Sequence, residues 1–256
     1  MTKHTVLRVE AGSAEVTNLD LRYGAADFKL MAGDIPDLLQ GDVYYSNARL
    51  APIVWTEQDG VFITQDIAGL FNFQSWKTRW DLVVSKRHKM RLLIRGGAFD
   101  GLLDFGGLRL KELTMKTGAA KVETHFAEAN PEVMEKMQIA TVASSFSMTD
   151  LMNARFRSLI FEGGAGEYKF DFSGTIPEDP AFKANAFFRM GLCTVEFRIP
   201  KELPAQINLR NVMASIDAPA FTRTHPDIYR NNAAYRTNNP VLNIEIQTGL
   251  GSITVV

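Results

Sequence analysis

Cleavage of a polymeric sugar needs carboxylates a few ångströms apart, or a base set beside acids on one face. In this chain the nearest such pair is Asp100 and Asp104, with Lys111 and Lys116 one strand further on. Charges at alternate positions also describe the wet face of a strand, and that is the reading these four residues favour. Three glycine runs, Gly96-Gly97, Gly106-Gly107 and Gly163-Gly164-Ala165-Gly166, have the composition of phosphate-cradling loops. None is followed by Gly-Lys-Ser/Thr or by a convincing helix, so bends are expected there. His125 and His225 have no partner at a ligand spacing, and Cys193 is the single cysteine, which leaves no basis for a zinc site or an internal disulfide. No catalytic residue, cofactor site or metal site is expected.

Two other segments carry residues suited to contact rather than to catalysis. Aromatics concentrate between Trp55 and Trp80, with Phe62, Phe71, Phe73 and Trp76 between them. Such residues anchor interfaces, which makes Trp55, Phe71, Phe73, Trp76 and Trp80 candidates for docking or self-association. The competing and favoured reading is that they close the hydrophobic end of the domain. Pro219 to Pro240 forms a long polar stretch with Arg223, Tyr229, Arg230, Asn231, Tyr235, Arg236 and Asn239. Loops of that length in compact domains are often functional. Arg223, Tyr229, Arg230 and Tyr235 suit a sugar or protein ligand, and a wrap over the last structural unit accounts for them equally well.

Composition narrows the partners. The 28 Lys and Arg balance 29 Asp and Glu to a net charge of −1, so no global field draws the chain to nucleic acid or to an anionic membrane. No apolar run approaches the roughly 20 residues that cross a bilayer, and Met1-Thr2-Lys3-His4 opens no signal-peptide core. Membrane attachment would need a segment that this sequence does not contain, and the compartment stays open. At 46% hydrophobic, the 256 residues can bury a large core.

What must position these residues is a repeat. Six stretches begin with glycine, continue through small residues, and then alternate polar with apolar: Gly24 to Leu30, Gly97 to Asp100, Gly118 to Thr124, Gly164 to Phe170, Gly191 to Phe197 and Gly249 to Val255. Weaker copies begin at Ser144 and Met213. From 97 onward the anchors are separated by 21 (118−97), 26 (144−118), 20 (164−144), 27 (191−164) and 22 (213−191) residues. Alternation over short runs means strands with one buried face, and one such unit cannot bury that face alone. The expectation is an all-β, single-stranded parallel β-helix whose rungs have the length of these anchor spacings. Glycine is expected to enter positive φ at each bend, and a small neighbour to let rungs approach. A compact sandwich is the competing fold. Residues 1–103, with the aromatic segment, and 104–256 read as two continuous parts. Asn130 to Lys136, with a capping residue and a proline, predicts a short helical turn, and Ile176 to Pro180 predicts a proline-rich turn.

Taken in order, the repeats resemble the toast-rack family, which is related to the C-terminal region of LiaF-type cell-wall stress proteins and to adhesin-type domains. Leu19 to Leu30 resembles the opening strand pair, Trp80-Asp81-Leu82 with Gly97-Ala98 and Leu108 to Ala120 the central rungs, and Leu242 to Val255 the terminal rung. The resemblance implies a right-handed winding and a non-enzymatic structural or interaction module of a bacterial envelope protein, concerned with adhesion or envelope stress. It brings no catalytic residues, and it makes a protein partner, self-association or a cell-wall or carbohydrate ligand the expected contacts. A carbohydrate-binding or carbohydrate-cleaving β-helix is the alternative.

Overall fold

The structure, a computed structural model, describes residues 2–65, 77–179, 181–210, 213–237 and 239–256. Period-two alternation extends over 16 or 17 residues in five strands: β2 (Thr17–Gly33), β7 (Lys89–Asp104), β8 (Arg109–His125), β9 (Met134–Thr149) and β10 (Phe156–Asp171). Each is bent once. In β2 the buried set passes from Leu19, Leu21 and Tyr23 to Ala26, Phe28 and Leu30, so its parity changes at Gly24 and both halves face one core. Four more rungs are divided into two strands at the same corner: β5 (Gly60–Thr64) with β6 (Lys77–Ser85), β11 (Ala184–Met190) with β12 (Cys193–Arg198), β13 (Ala205–Leu209) with β14 (Ser215–Asp217), and β17 (Leu242–Thr248) with β18 (Gly251–Val255).

These rungs stack in parallel in the order β5/β6, β2, β7, β8, β9, β10, β11/β12, β17/β18, β13/β14. Register turns the alternation of each strand into columns that run through the whole core. Ile63, Leu21, Ile94, Met115, Ile139, Phe161, Phe188, Ile246 and Leu209 make one. Beyond the corner, Trp80, Phe28, Gly101, Val122, Phe146, Tyr168, Val195, Ile253 and Ile216 make another. Gly101 leaves room there for the ring of Phe99, which a Cβ would meet at 2.6 Å.

Two rungs lie out of chain order. The segment β2 is inserted between β5/β6 and β7, and β17/β18 is inserted between β11/β12 and β13/β14. Each of these inserted rungs is thus paired on two sides. The outer rungs end in antiparallel strands. At one end β3 (Leu39–Tyr45) pairs with β6, β1 (Lys3–Val9) with β3, and β4 (Ile53–Glu57) with β5. At the other, β16 (Ile228–Asn231) pairs with β13, and β15 (Phe221–His225) with β16. Reversing strand direction stops the parallel stack, which would otherwise offer an open edge to the next molecule.

The corner glycines act differently from the expectation. None of Gly24, Gly97, Gly118, Gly164, Gly191 or Gly249 has a positive φ. What they supply is close approach: a Cβ on Gly97 would lie 2.8 Å from the Gly24 carbonyl oxygen, on Gly118 2.6 Å from that of Gly97, and on Gly164 2.1 Å from that of Val142. Positive φ occurs instead at Gly107, φ 74°, in the turn between β7 and β8. Val142, not Ser144, takes the corner position of β9, because Thr141 and Ala143 pair with Gly163 and Ala165 on either side of it. The expected helical turn at Asn130 to Lys136 is also absent: residues 131 and 132 bend, and β9 starts at Met134. Burial of Met134 and Met137 in the rung interior outweighs the local capping signal.

Candidate functional site

Outward residues of the half-strands before the corner line up as strictly as the core does. Arg22 on β2, Arg95 on β7 and Lys116 on β8 occupy one column, and Asp20, Leu93, Thr114 and Gln138 the next. Between these columns and Phe62 on β5 lies a groove of about 520 Å³, within the range of ligand sites.

Its charges are unequally satisfied. Asp20 is nearly buried and accepts hydrogen bonds from Arg22, from Nε at 3.0 Å and from Nη2 at 2.5 Å. Those bonds hold the Arg22 guanidinium above its usual pKa, against the cost of partial burial. Glu112 is engaged by Arg91 Nε at 3.2 Å, and Asp59 accepts from Asn18 Nδ2 at 3.0 Å. Arg95 stands 3.9 Å from Asp20, an ion-pair distance without a hydrogen bond, and among the described residues Lys116 has no ion pair. Asp20 and Glu112 are therefore paired with arginines and Asp59 with a neutral amide, while among the described residues Arg95 and Lys116 have no carboxylate hydrogen-bonded to them.

The aromatic candidates separate. Trp55 lies on the exposed strand β4 and stacks on Phe62, ring centroids 5.1 Å apart, so it backs the rim of the groove. Trp80 is fully buried, donates from Nε1 to Thr78 Oγ1 at 3.1 Å, and packs near Phe28 and Tyr23. It is a core residue and offers no surface to a partner in this fold. Phe71, Phe73 and Trp76 lie outside the described residues.

The polar stretch is mostly occupied in building its end of the stack. Arg223 Nε donates to the Pro226 carbonyl at 2.9 Å, and its guanidinium lies 5.8 Å from the Tyr229 ring centroid. Arg230 Nε donates to Gln206 Oε1 at 2.7 Å, tying β16 to β13. Asn231 is buried, accepts from the Ala205 and Ala234 amides and donates to the Leu203 carbonyl, which fixes the start of the short helix α1 (Asn232–Thr237). Tyr235 on α1 faces solvent.

The residues first weighed for catalysis do not converge. Asp104 accepts the Gly106 amide at 2.9 Å in the turn after β7. Lys111 lies 3.0 Å from Glu132, which also receives Arg109 and has its pKa lowered to about 2 by those two partners. Asp100 stands after the corner, in register with Asp27 on one side and Lys121 on the other, whereas Lys116 stands before it. His125 Nδ1 is 2.7 Å from Thr149 Oγ1. The cationic column was not singled out from the sequence. Its signal is there all the same: Arg22, Arg95 and Lys116 each stand two residues before a corner glycine, Gly24, Gly97 and Gly118.

Comparison with known proteins agrees with this architecture. A family profile described as the N-terminal domain of toast_rack, DUF2154, matches residues 1–135. No curated protein matches the chain. Among solved structures, a candidate cell adhesion protein from Clostridium sporogenes ATCC 15579 is similar over 100% of this chain and 99% of its own, at 18% identity and a TM-score of 0.56. A candidate adhesin from Bacteroides fragilis NCTC 9343 aligns over 100% and 97%, at 8% identity and a TM-score of 0.38. At such identity the Clostridium structure speaks for the fold alone. With 135 of its 256 residues matched by the family profile, this chain belongs to the toast-rack family.

Proposed function

We propose that the chain is a non-enzymatic interaction module of a bacterial cell envelope, wound right-handed with rungs as long as its anchor spacings, which meets its ligand along its flank. One observation carries the reading. The strands β3 and β4 at one end and β16 at the other run against the stack, with β1 and β15 reversed again outside them, so the parallel stack is not continued at either end and the long outer columns and the groove beside Phe62 are the surfaces left for a ligand. The Clostridium structure of similar fold, described as a candidate cell adhesion protein, fits that role. The test is co-sedimentation of the purified chain with isolated bacterial envelope fractions. Retention in the pellet supports the module, and recovery entirely in the supernatant from a range of envelopes removes it. Self-association through β4, where Ile53, Val54 and Trp55 are exposed on an edge, belongs to the same reading. A concentration-independent mass of 28.5 kDa by light scattering excludes it.

A second reading, a carbohydrate-cleaving β-helix, draws on Asp27 and Asp100, which neighbour each other in register with Arg79 and Lys121 on their far sides in a cavity of about 470 Å³. Release of reducing ends from a polysaccharide panel, lost in Asp100→Asn, supports it. A flat response across the panel removes it.

A further inference from the structure

We propose that the groove before the corner binds an extended anionic polysaccharide, whose carboxylates meet Arg95 and Lys116, the members of the cationic column that line it. The inference rests on the reading of the chain as an interaction module and names the ligand class of its flank.

The first argument is energetic. Neighbouring rungs are about 4.8 Å apart, and like charges directly opposite one another in a sheet are destabilising. Three cations in one column therefore raise the folding cost unless something offsets it. Several outer cations elsewhere have carboxylates at hand, Arg189 with Glu162 at 2.7 Å, Arg109 and Lys111 with Glu132, and Lys89 with Glu15 at 3.0 Å, whereas Arg95 and Lys116 stack directly on one another in register without one hydrogen-bonded to them. In the groove Asp20 is held by Arg22 and stands 3.9 Å from Arg95, Glu112 is held by Arg91, and Asp59 accepts from the neutral Asn18 amide; none of the three makes an ion pair with Lys116. An incoming anion would.

The second argument is the surface between the charges. Phe62 and Leu93 give the floor two apolar patches on either side of the nearly buried Asp20, while Asn18, Thr114 and Gln138 offer amide and hydroxyl groups beside them. That mixture suits sugar rings, which present an apolar face and a rim of hydroxyls. A simple anion would use the cations and leave the floor bare. The third argument is shape. The lining residues come from five successive rungs, β5, β2, β7, β8 and β9, and so extend about 19 Å along the axis. A chain-like ligand lying parallel to the axis can place successive acidic groups against successive rungs.

The test uses the whole chain and sodium polygalacturonate as probe, with dextran as the neutral glycan and inorganic polyphosphate as the anion without sugar. Calorimetric titration is expected to show binding to polygalacturonate that weakens with added salt, and no response to dextran. Lys116→Glu, an exposed substitution that leaves the core untouched, is expected to weaken binding by at least about tenfold, and Lys116→Arg to retain it. Arg198→Glu, on the flank after the corner, is expected to bind like the unaltered chain. Equal affinity for polyphosphate overturns the glycan assignment, and unchanged binding in Lys116→Glu overturns the site. If Lys116→Glu still sediments with envelope fractions while polygalacturonate binds neither form, the groove assignment fails and the module reading stands. Loss of envelope sedimentation by the unaltered chain fails the module reading itself.

Discussion

Replacing Gly164 by alanine tests the corner glycines directly. The new Cβ would lie 2.1 Å from the Val142 carbonyl oxygen, well inside the 3.4 Å at which ordinary contact begins. The obstacle is backbone, and it belongs to a β9–β10 pairing that runs in register from Phe156 and Met134 to Phe170 and Met148. Relief by moving the strands apart would stretch the ladder bonds around the corner, each of net worth about 1 kcal/mol. Overpacking of this kind costs about 1–3 kcal/mol, and the stiffer unfolded chain of alanine returns about 0.4–1 kcal/mol. The expected net loss is about 2 kcal/mol, or about 4–8 °C in Tm for a chain of this size. Gly118→Ala, at 2.6 Å from the Gly97 oxygen, should lose less, and Gly249→Ala, at 3.0 Å from the Gly191 oxygen, about 1 kcal/mol or none. Gly12, with nothing within 4 Å of its Cβ position, is the control. Urea unfolding followed by far-ultraviolet circular dichroism should show the largest midpoint loss at Gly164 and the smallest at Gly249, with unchanged slope. Equal losses at Gly164 and Gly249, or none at Gly164, would refute steric close approach as the reason for these residues.

The fully buried Tyr23 hydroxyl has no hydrogen-bond partner among the described residues, so Tyr23→Phe should stabilise the protein by about 1 kcal/mol, and a loss of stability in thermal unfolding would count against that. Burial also pushes the Tyr23 phenol well above its usual pKa, so the neutral side chain's contribution is intact below about pH 10 and falls as the unfolded chain ionises above it. Glu132 works in the opposite direction: its pKa lies at about 2 instead of 4.5, so its ion pairs stabilise fully above pH 4.5 and are lost as pH falls through 2. Its arginine and lysine partners are about a third exposed, and solvent screening reduces the effect to about 1 kcal/mol; Glu132→Gln should flatten the acid limb by that amount, and an unaltered limb would contradict it. Hydrogen exchange should find the β17 and β18 amides as protected as those of β8, since both rungs are paired on two sides; rapid exchange of residues 242–255 would overturn the inserted stacking order.

Much of this architecture was legible because it is written rung by rung. Whether a side chain faces the core depends on the alternation within its own strand, so Leu113 and Met115, or Leu242, Ile244 and Ile246, announce their burial locally. Where local signals misled, a neighbouring rung decided the matter. Asn130 and Pro131 carry a helix-start pattern, yet Met134 is needed in the column beside Phe156 and Met137 in the column between Leu113 and Leu159. Trp80 belongs by sequence to an aromatic cluster that could dock a partner, but its register with Phe28 places it in the core. The candidate groove was harder to see for the same reason: Arg22 and Arg95 are far apart in sequence and one rung apart in space.

The sequence by itself determined the units: bent strands with one apolar face and a small residue at the corner, as at Gly97, Gly118 and Gly164. These follow from alternation and residue size, which are properties of each segment. Only the tertiary structure decided which unit lies on which. Every rung presents similar apolar columns to its neighbours, so hydrophobic burial alone does not distinguish β2 next to β7 from β6 next to β7. Inserting β2 and β17/β18 between consecutive rungs, reversing the strands at both ends, and bringing three cations into one column are outcomes of that choice. They depend on long-range pairing, which no local pattern encodes.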